Sequence, residues 1–226
     1  MMYDLGTGWD YMYPTGGRTT WESLTSIQHF VGPGAVLKKL RTTGSLRTDN
    51  APEFREAAEI LGIANPTSTP YVSQTNSIIE RRIRTIEEGT RTHLDRCGLP
   101  HKWWPLASQC FCMATNIRRE GDKESPWERR HKQGPFPGHQ IPFGVLVQFL
   151  PPKPIKAKLP KFETNAIPGI FLGYHMNHGG LANTWSPHML ISKGRPLKRV
   201  EHELSHCSES EKLSGTRRRP LSSLSR

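Results

Sequence analysis

Residues 47–80, RTDNAPEFREAAEILGIANPTSTPYVSQTNSIIE, constrain the fold of this chain more than any other stretch. Asp49 precedes one helical pattern and Glu80 stands in the first turn of the next. Between them Ala57, Ala58, Ile60 and Leu61 form an apolar face, Gly62 stops the helix, and a Pro/Thr/Ser-rich connector leads into a long Ile/Arg/Glu pattern. Acids so far apart in sequence meet only if the chain folds back. Each acid also has an ordinary structural explanation: Asp49 or Asn50 can cap the helix that follows, with Pro52 near its first turn. Glu80 can belong to a solvated stripe with Arg84, Glu87 and Arg91, where each i,i+3 or i,i+4 pair adds about 0.2–0.5 kcal/mol.

The flanking segments supply packing material. Residues 1–13, MMYDLGTGWDYMY, read as a strand, a Gly6/Gly8 turn and an aromatic-rich second strand. Thr19 or Thr20 can cap a helix that packs with Trp21, Leu24, Ile27 and Phe30/Val31 and ends at Gly32-Pro33. Residues 36–48 read as one or two short strands around a Thr43-Gly44 turn. The longest helix is expected over residues 77–97, with Ile79, Ile83, Ile86 and Leu94 near one face and Gly98 as its stop. A second apolar helix follows over residues 100–116, carrying Trp103, Trp104, Leu106, Ala107, Phe111 and Met113. Cys110 and Cys112, two apart on it, point to different faces and read as core, not as metal ligands. His175 with His178, and His202 with His206 and Cys207, have zinc-like spacing without a second ligand pair at a finger-type interval.

Composition shifts after residue 118. Residues 119–141 are polar and rich in Gly and Pro, as a linker is. Residues 142–203 hold short apolar runs (FGVLVQFL, IPGIFLGY, HMLIS) between Pro, Gly and Asn turns, the pattern of a small all-β barrel. The Ser/Arg-rich residues 204–226 are expected to form a disordered basic tail. The formal net charge is +11, which points to a polyanionic partner: DNA or RNA first, an anionic membrane surface second. Residues 1–100 balance eleven Lys/Arg against eleven Asp/Glu, whereas residues 151–200 set eight Lys/Arg against Glu163 alone. The excess therefore belongs to the later half. There Lys153, Lys156, Lys158 and Lys161 crowd one connection and can line a phosphate backbone, or simply solubilise a loop. The four cysteines and the lack of an apolar leader or of a run near the ~20 residues that span a bilayer suggest an intracellular protein of nucleus or cytoplasm, without membrane partners.

In sequence order, TDNAPEF followed by QTNSIIERRIRT resembles the paired signature of retroviral-type integrases, above all those of copia-type retrotransposon polyproteins, whose motifs run Asp-Asn-Gly-x-Glu-Phe and Gln-x-Asn-Gly-x-x-Glu-Arg. DLGTGWDYMYP, LPHKWWPLA, SPWERRHKQGPFPG and PGIFLGY extend the likeness to about Val200. The resemblance implies an α/β, RNase H-like mixed sheet with flanking helices over residues 1–118, here without its first strand, and a Src-homology-3-like barrel over 142–203. It implies DNA integration by phosphoryl transfer, with carboxylates holding Mg²⁺ or Mn²⁺, hard cations that prefer oxygen donors. Asp49 and Glu80 match the second and third acids, and Arg81 and Arg84 join the four lysines as nucleic-acid contacts. Self-association is implied as well.

The sequence also departs from the family. The first acid lies before the hairpin that opens this chain, and Asp4 matches a later strand end. Ala51 and Ser77 stand where the family has Gly, and Ser73 where it has Pro. A metal site short of one ligand predicts little or no integration by this fragment, which leaves a non-enzymatic nucleic-acid-binding remnant as the alternative and a protein-interaction domain as a third reading.

Overall fold

The computed structural model describes residues 1–32, 34–48, 51–66, 77–150, 166–180 and 187–191. The chain opens with the expected hairpin: β1 (Met2–Tyr3) pairs antiparallel with β2 (Asp10–Tyr11), Met2 opposite Tyr11 and Tyr3 opposite Asp10. Asp4 shapes its turn, accepting Gly6 N–H at 2.9 Å and the Thr7 hydroxyl at 2.7 Å. Helix α1 (Thr20–Val31) follows, with the Thr19 side chain accepting Glu22 N–H as its cap. Leu24, Ile27 and Val31 turn inward, but Trp21 is 72% exposed, contrary to its expected packing role. The helix has enough apolar residues at three- and four-residue spacing without it.

Residues 34–43 correct the expectation of strands. They form helix α2 (Gly34–Thr43). β-branched Val36, Thr42 and Thr43 suggest extended chain, yet Leu37 and Leu40, three apart, both lean on the cluster of Ile27, Ala57, Leu61 and Ile63. Burial of that spacing outweighs the weaker local preference. Within residues 36–48, Ser45 makes a strand-like contact, a parallel bridge to Ala64. Helix α3 (Pro52–Leu61) has Ala51 at its N-cap with no side-chain bond, and Gly62 closes it in the left-handed conformation. Ala57, Ala58 and Leu61 are buried, whereas Ile60 is 60% exposed, a second departure from the expected face.

Helix α4 (Ser77–Cys97) and helix α5 (Trp104–Ile117), joined through a short 3₁₀ turn at His101–Trp103, cross at close range. Gly89 makes the approach possible. A Cβ there would stand 2.1 Å from the Phe111 ring, so any side chain would have to displace that ring. Cys110 and Cys112 serve two different clusters: Cys110 lies with Leu94, Trp103, Leu106 and Phe171, and Cys112 with Trp9, Ile86, Met113 and Trp127. Both thiols are core, and burial pushes Cys110 up to about 12.

Within residues 119–141, where composition suggests a linker, lies helix α6 (Pro126–His131). A capping box starts it: Ser125 Oγ accepts Glu128 N–H at 3.3 Å, and Glu128 accepts Ser125 N–H at 2.9 Å. Arg119 binds the same carboxylate and, with Ser125, holds it down to about 2. The helix anchors itself through Trp127, buried beside Trp9 with ring centroids 6.0 Å apart. One aromatic in a polar stretch leaves little compositional trace, but it fixes the segment on the hairpin.

Strands β3 (Leu146–Phe149), β4 (Ile167–Tyr174) and β5 (Pro187–Ile191) form an antiparallel sheet in that order, with a register shift between Phe171 and Gly173. The sheet is joined to the helices: Phe171 and Leu172 are buried against Leu94, Leu106, Ala107 and Cys110. The described architecture is thus mixed α/β, with small antiparallel sheets on a helical core. No described helix is long and apolar enough to cross a membrane.

Candidate functional site

The N-terminal turns of α4 are where the sequence places its third acid. Glu80 lies in the first turn with an exposed side chain, and among the described residues no ion pair or hydrogen bond engages its carboxylate. A carboxylate is favoured there by the unpaired N–H groups of a helix start. Arg81 and Arg84 are also exposed, and Arg84, four residues on, shares the face of Glu80. Asp49, the four lysines Lys153, Lys156, Lys158 and Lys161, and His202, His206 and Cys207 lie outside the described residues. Glu80 has the hard oxygen donors that Mg²⁺ or Mn²⁺ prefers, and Asp49 is of the same donor type.

Arg82 points the other way. Two residues past Glu80 is a rotation of about 200° round a helix, which carries its guanidinium toward the core. It pairs through Nε with the carboxylate of Asp10 on β2 and donates from Nη2 to Thr115 Oγ1 at 3.3 Å on α5. Asp10 is completely buried, and its Oδ1 has no hydrogen-bond partner. The Cys112 thiol adjoins this carboxylate. Burial raises the Asp10 pKa above its ordinary value, against the lowering effect of Arg82. The Cys112 thiol is pushed up by its own burial and by Asp10.

Asn116, also fully buried, completes the junction. Its Oδ1 accepts Asp10 N–H at 3.1 Å, and its Nδ2 donates to Asp10 O at 2.7 Å, so one side chain takes the place of a neighbouring strand. No spacing in the sequence links Asp10, Arg82 and Asn116. The group's traces were an acid inside the aromatic strand WDYMY and an Asn inside an apolar helix, each unremarkable alone.

A groove of about 580 Å³ runs beside the same helix, between Met12–Thr15, Glu87, Thr90, Arg91 and Leu94 on α4, and His101 and Trp104. Glu87 and Arg91 pair across one helical turn at 3.8 Å, both well exposed. That distance fits the solvated stripe expected for them. Among the described residues no three His, Cys, Asp or Glu side chains converge as a metal cage. His178 instead lies against His29, ring centroids 5.0 Å apart.

The homologues of this chain are Pol polyproteins of retroviruses and retrotransposons. One is the Pro-Pol polyprotein of Feline foamy virus, 28% identical over 146 residues, which is 64% of this chain. Another is the retrovirus-related Pol polyprotein from transposon TNT 1-94 of Nicotiana tabacum, 30% identical over 160 residues, or 68% of this chain. Each match spans 11% of the relative's length. Among solved structures, a chain from the simian T-cell lymphotropic virus intasome in complex with PP2A regulatory subunit B56 gamma is similar over 75% of this chain and 62% of its own. It is 19% identical, and its TM-score of 0.37 is too low to equate the two folds. No protein-family model matches the chain.

Proposed function

We propose that this chain is an integrase-like segment of a retroelement Pol polyprotein that binds nucleic acid and, short of one metal ligand, has at most a residual capacity to act on its phosphodiesters. Asp49 and Glu80 would hold Mg²⁺ or Mn²⁺, which supplies Lewis-acid activation and charge neutralisation in phosphoryl transfer when bound. In this reading the first 118 residues derive from an RNase H-like core, residues 142–203 from a Src-homology-3-like barrel, and several copies assemble on nucleic acid. Arg81, Arg84 and the lysines Lys153, Lys156, Lys158 and Lys161 contact phosphates.

One observation carries the reading: Glu80 stands exposed at the start of α4 on the face of Arg84, while the neighbouring Arg82 is drawn into the core. A carboxylate for a cation and a guanidinium for a phosphate are thereby offered to the same ligand. The ordered motifs and the Pol homologues support it.

The test incubates the purified chain with a labelled duplex that mimics a retroelement end, with Mn²⁺ or Mg²⁺. Residual strand nicking that disappears in both Asp49→Asn and Glu80→Gln supports the reading, whereas robust nicking lost in Asp49→Asn refutes the expectation that the missing ligand leaves little activity. Nicking that survives both substitutions sinks it. The concentration of positive charge in residues 151–200 favours a second reading, nucleic-acid binding without chemistry. It requires DNA affinity that falls steeply with salt and drops when the four lysines are changed together to Ala, with no nicking in wild type.

A further inference from the structure

The last turn of α1 receives the segment that follows β4, and His29 is at the centre of the contact. Its Nε2 lies 3.1 Å from the carbonyl oxygen of Met176. A carbonyl only accepts, so Nε2 carries the hydrogen. Its Nδ1, 2.8 Å from the Tyr13 hydroxyl, is therefore the acceptor of the phenol's O–H. Both ring nitrogens are committed, and a neutral imidazole satisfies both partners.

Other contacts converge on the same few residues. Gly179 lies so close to Gly32 that a Cβ on Gly32 would stand 2.5 Å from its Cα. Arg130 of α6 donates to the carbonyl of Gly179 at 3.3 Å and to that of Phe30. Its guanidinium rests over the rings of Trp9 and Phe30, at 5.3 and 4.9 Å from their centroids. Met176 is buried in the cluster of Trp9, Tyr11 and Trp127.

We infer that His29 is an acid-released latch that holds the segment after β4 on the end of α1. A second proton on His29 must go to Nδ1, which turns that atom from acceptor to donor, so the Tyr13 hydroxyl must rotate its hydrogen away and accept instead. The groups facing the ring give the new cation no counter-charge. From β2 and the residues just after it these are Tyr11 and Tyr13; from the docked segment, His175 and His178; Arg130 of α6 acts on Tyr13 beside the ring. The nearby carboxylate of Asp4 is paired with Arg130 at 3.6 Å. Undocking hydrates His29 and separates it from His178. Burial, and then the two neighbouring histidines, lower its pKa from 6.5, against the Met176 bond. The undocked state therefore binds more protons, so docking is favoured above that value and weakens as pH falls through it.

The test is backbone hydrogen exchange on the intact chain at about pH 7.5 and about pH 5.5, corrected for intrinsic exchange. Peptides covering residues 171–180 should lose protection by roughly tenfold at the lower pH, while α5 keeps its own. His29→Gln keeps a donor for the Met176 carbonyl and cannot titrate; it should remove the pH response. His178→Gln should only reduce it. Equal protection of wild type at both pH values overturns the latch, as does an undiminished response in His29→Gln or its complete loss in His178→Gln. Should His29→Gln fail to fold, the ring-proton titration of wild-type His29 decides: its midpoint must lie below 6.5 and coincide with the opening. Separate midpoints overturn the proposal.

Discussion

Arg82 and Arg84 lie two residues apart on α4 and end in opposite surroundings. Arg82, with 27% of its side chain exposed, reaches a fully buried Asp10 and then Thr115. Arg84 stands in solvent on the face of Glu80. The inward face continues through Ile86, Thr90 and Leu94, all buried; the outward face continues through Glu87 and Arg91, both exposed. One helix therefore separates residues that hold the fold from residues available to a ligand. Substitutions on the two faces should affect different observables.

The largest effect is expected from Arg82→Met. It strands the Asp10 carboxylate in the core, and the loss should be about 3–5 kcal/mol of unfolding free energy in urea titration. A loss below about 1 kcal/mol would mean that the pair does not hold the inward face. Asp10→Asn should cost less, about 1 kcal/mol, because Arg82 can turn its guanidinium to water. The raised Asp10 pKa adds a sign. The folded state binds this proton more readily than the unfolded one, so the Asp10 contribution to stability grows as pH falls through its folded pKa and is complete below the ordinary value of 3.8. The stability gap between wild type and Asp10→Asn should therefore widen on acidification. Parallel curves would contradict the burial argument.

Between these extremes lies the crossing with α5. Gly89→Leu must displace Phe111 and should cost about 1–3 kcal/mol, read as a drop in thermal midpoint. On the outward face, Glu80→Gln should change stability by less than about 0.5 kcal/mol while removing any divalent-cation-dependent nicking. A large stability loss there would place Glu80 among the residues that hold the fold. The smallest effect belongs to Glu87→Ala. Its exposed pair with Arg91 is worth about 0.3–0.5 kcal/mol, testable by a double-mutant cycle.

Much of this division was legible from periodicity. The helix over residues 77–97, its stop at Gly98 and the burial of Ile86 and Leu94 follow from spacing alone, as do the opening hairpin and the Thr19 cap. Spacing misled where local preference and burial disagree, as at α2. It also overcounted apolar residues at Trp21 and Ile60, because a face with enough inward residues leaves the extra ones in solvent. The candidate acids were legible only through the order of motifs, since each alone has an ordinary structural use.

The sequence by itself determined helices α1, α3, α4 and α5, the position of Glu80 at the start of one of them, the basic excess of the later half and the likeness to Pol polyproteins. Their signals are local or ordered along the chain, so they survive without coordinates. Only the tertiary structure decided that Asp10 answers Arg82, that Asn116 stands in for a strand, that Trp127 fixes α6 on the hairpin and that His29 receives the segment after β4. Those partners lie far apart in sequence: Asn116 is 106 residues from Asp10, and Met176 is 147 from His29. No period or composition links residues at such separations. They find each other only when burial of the apolar faces has already brought their elements together.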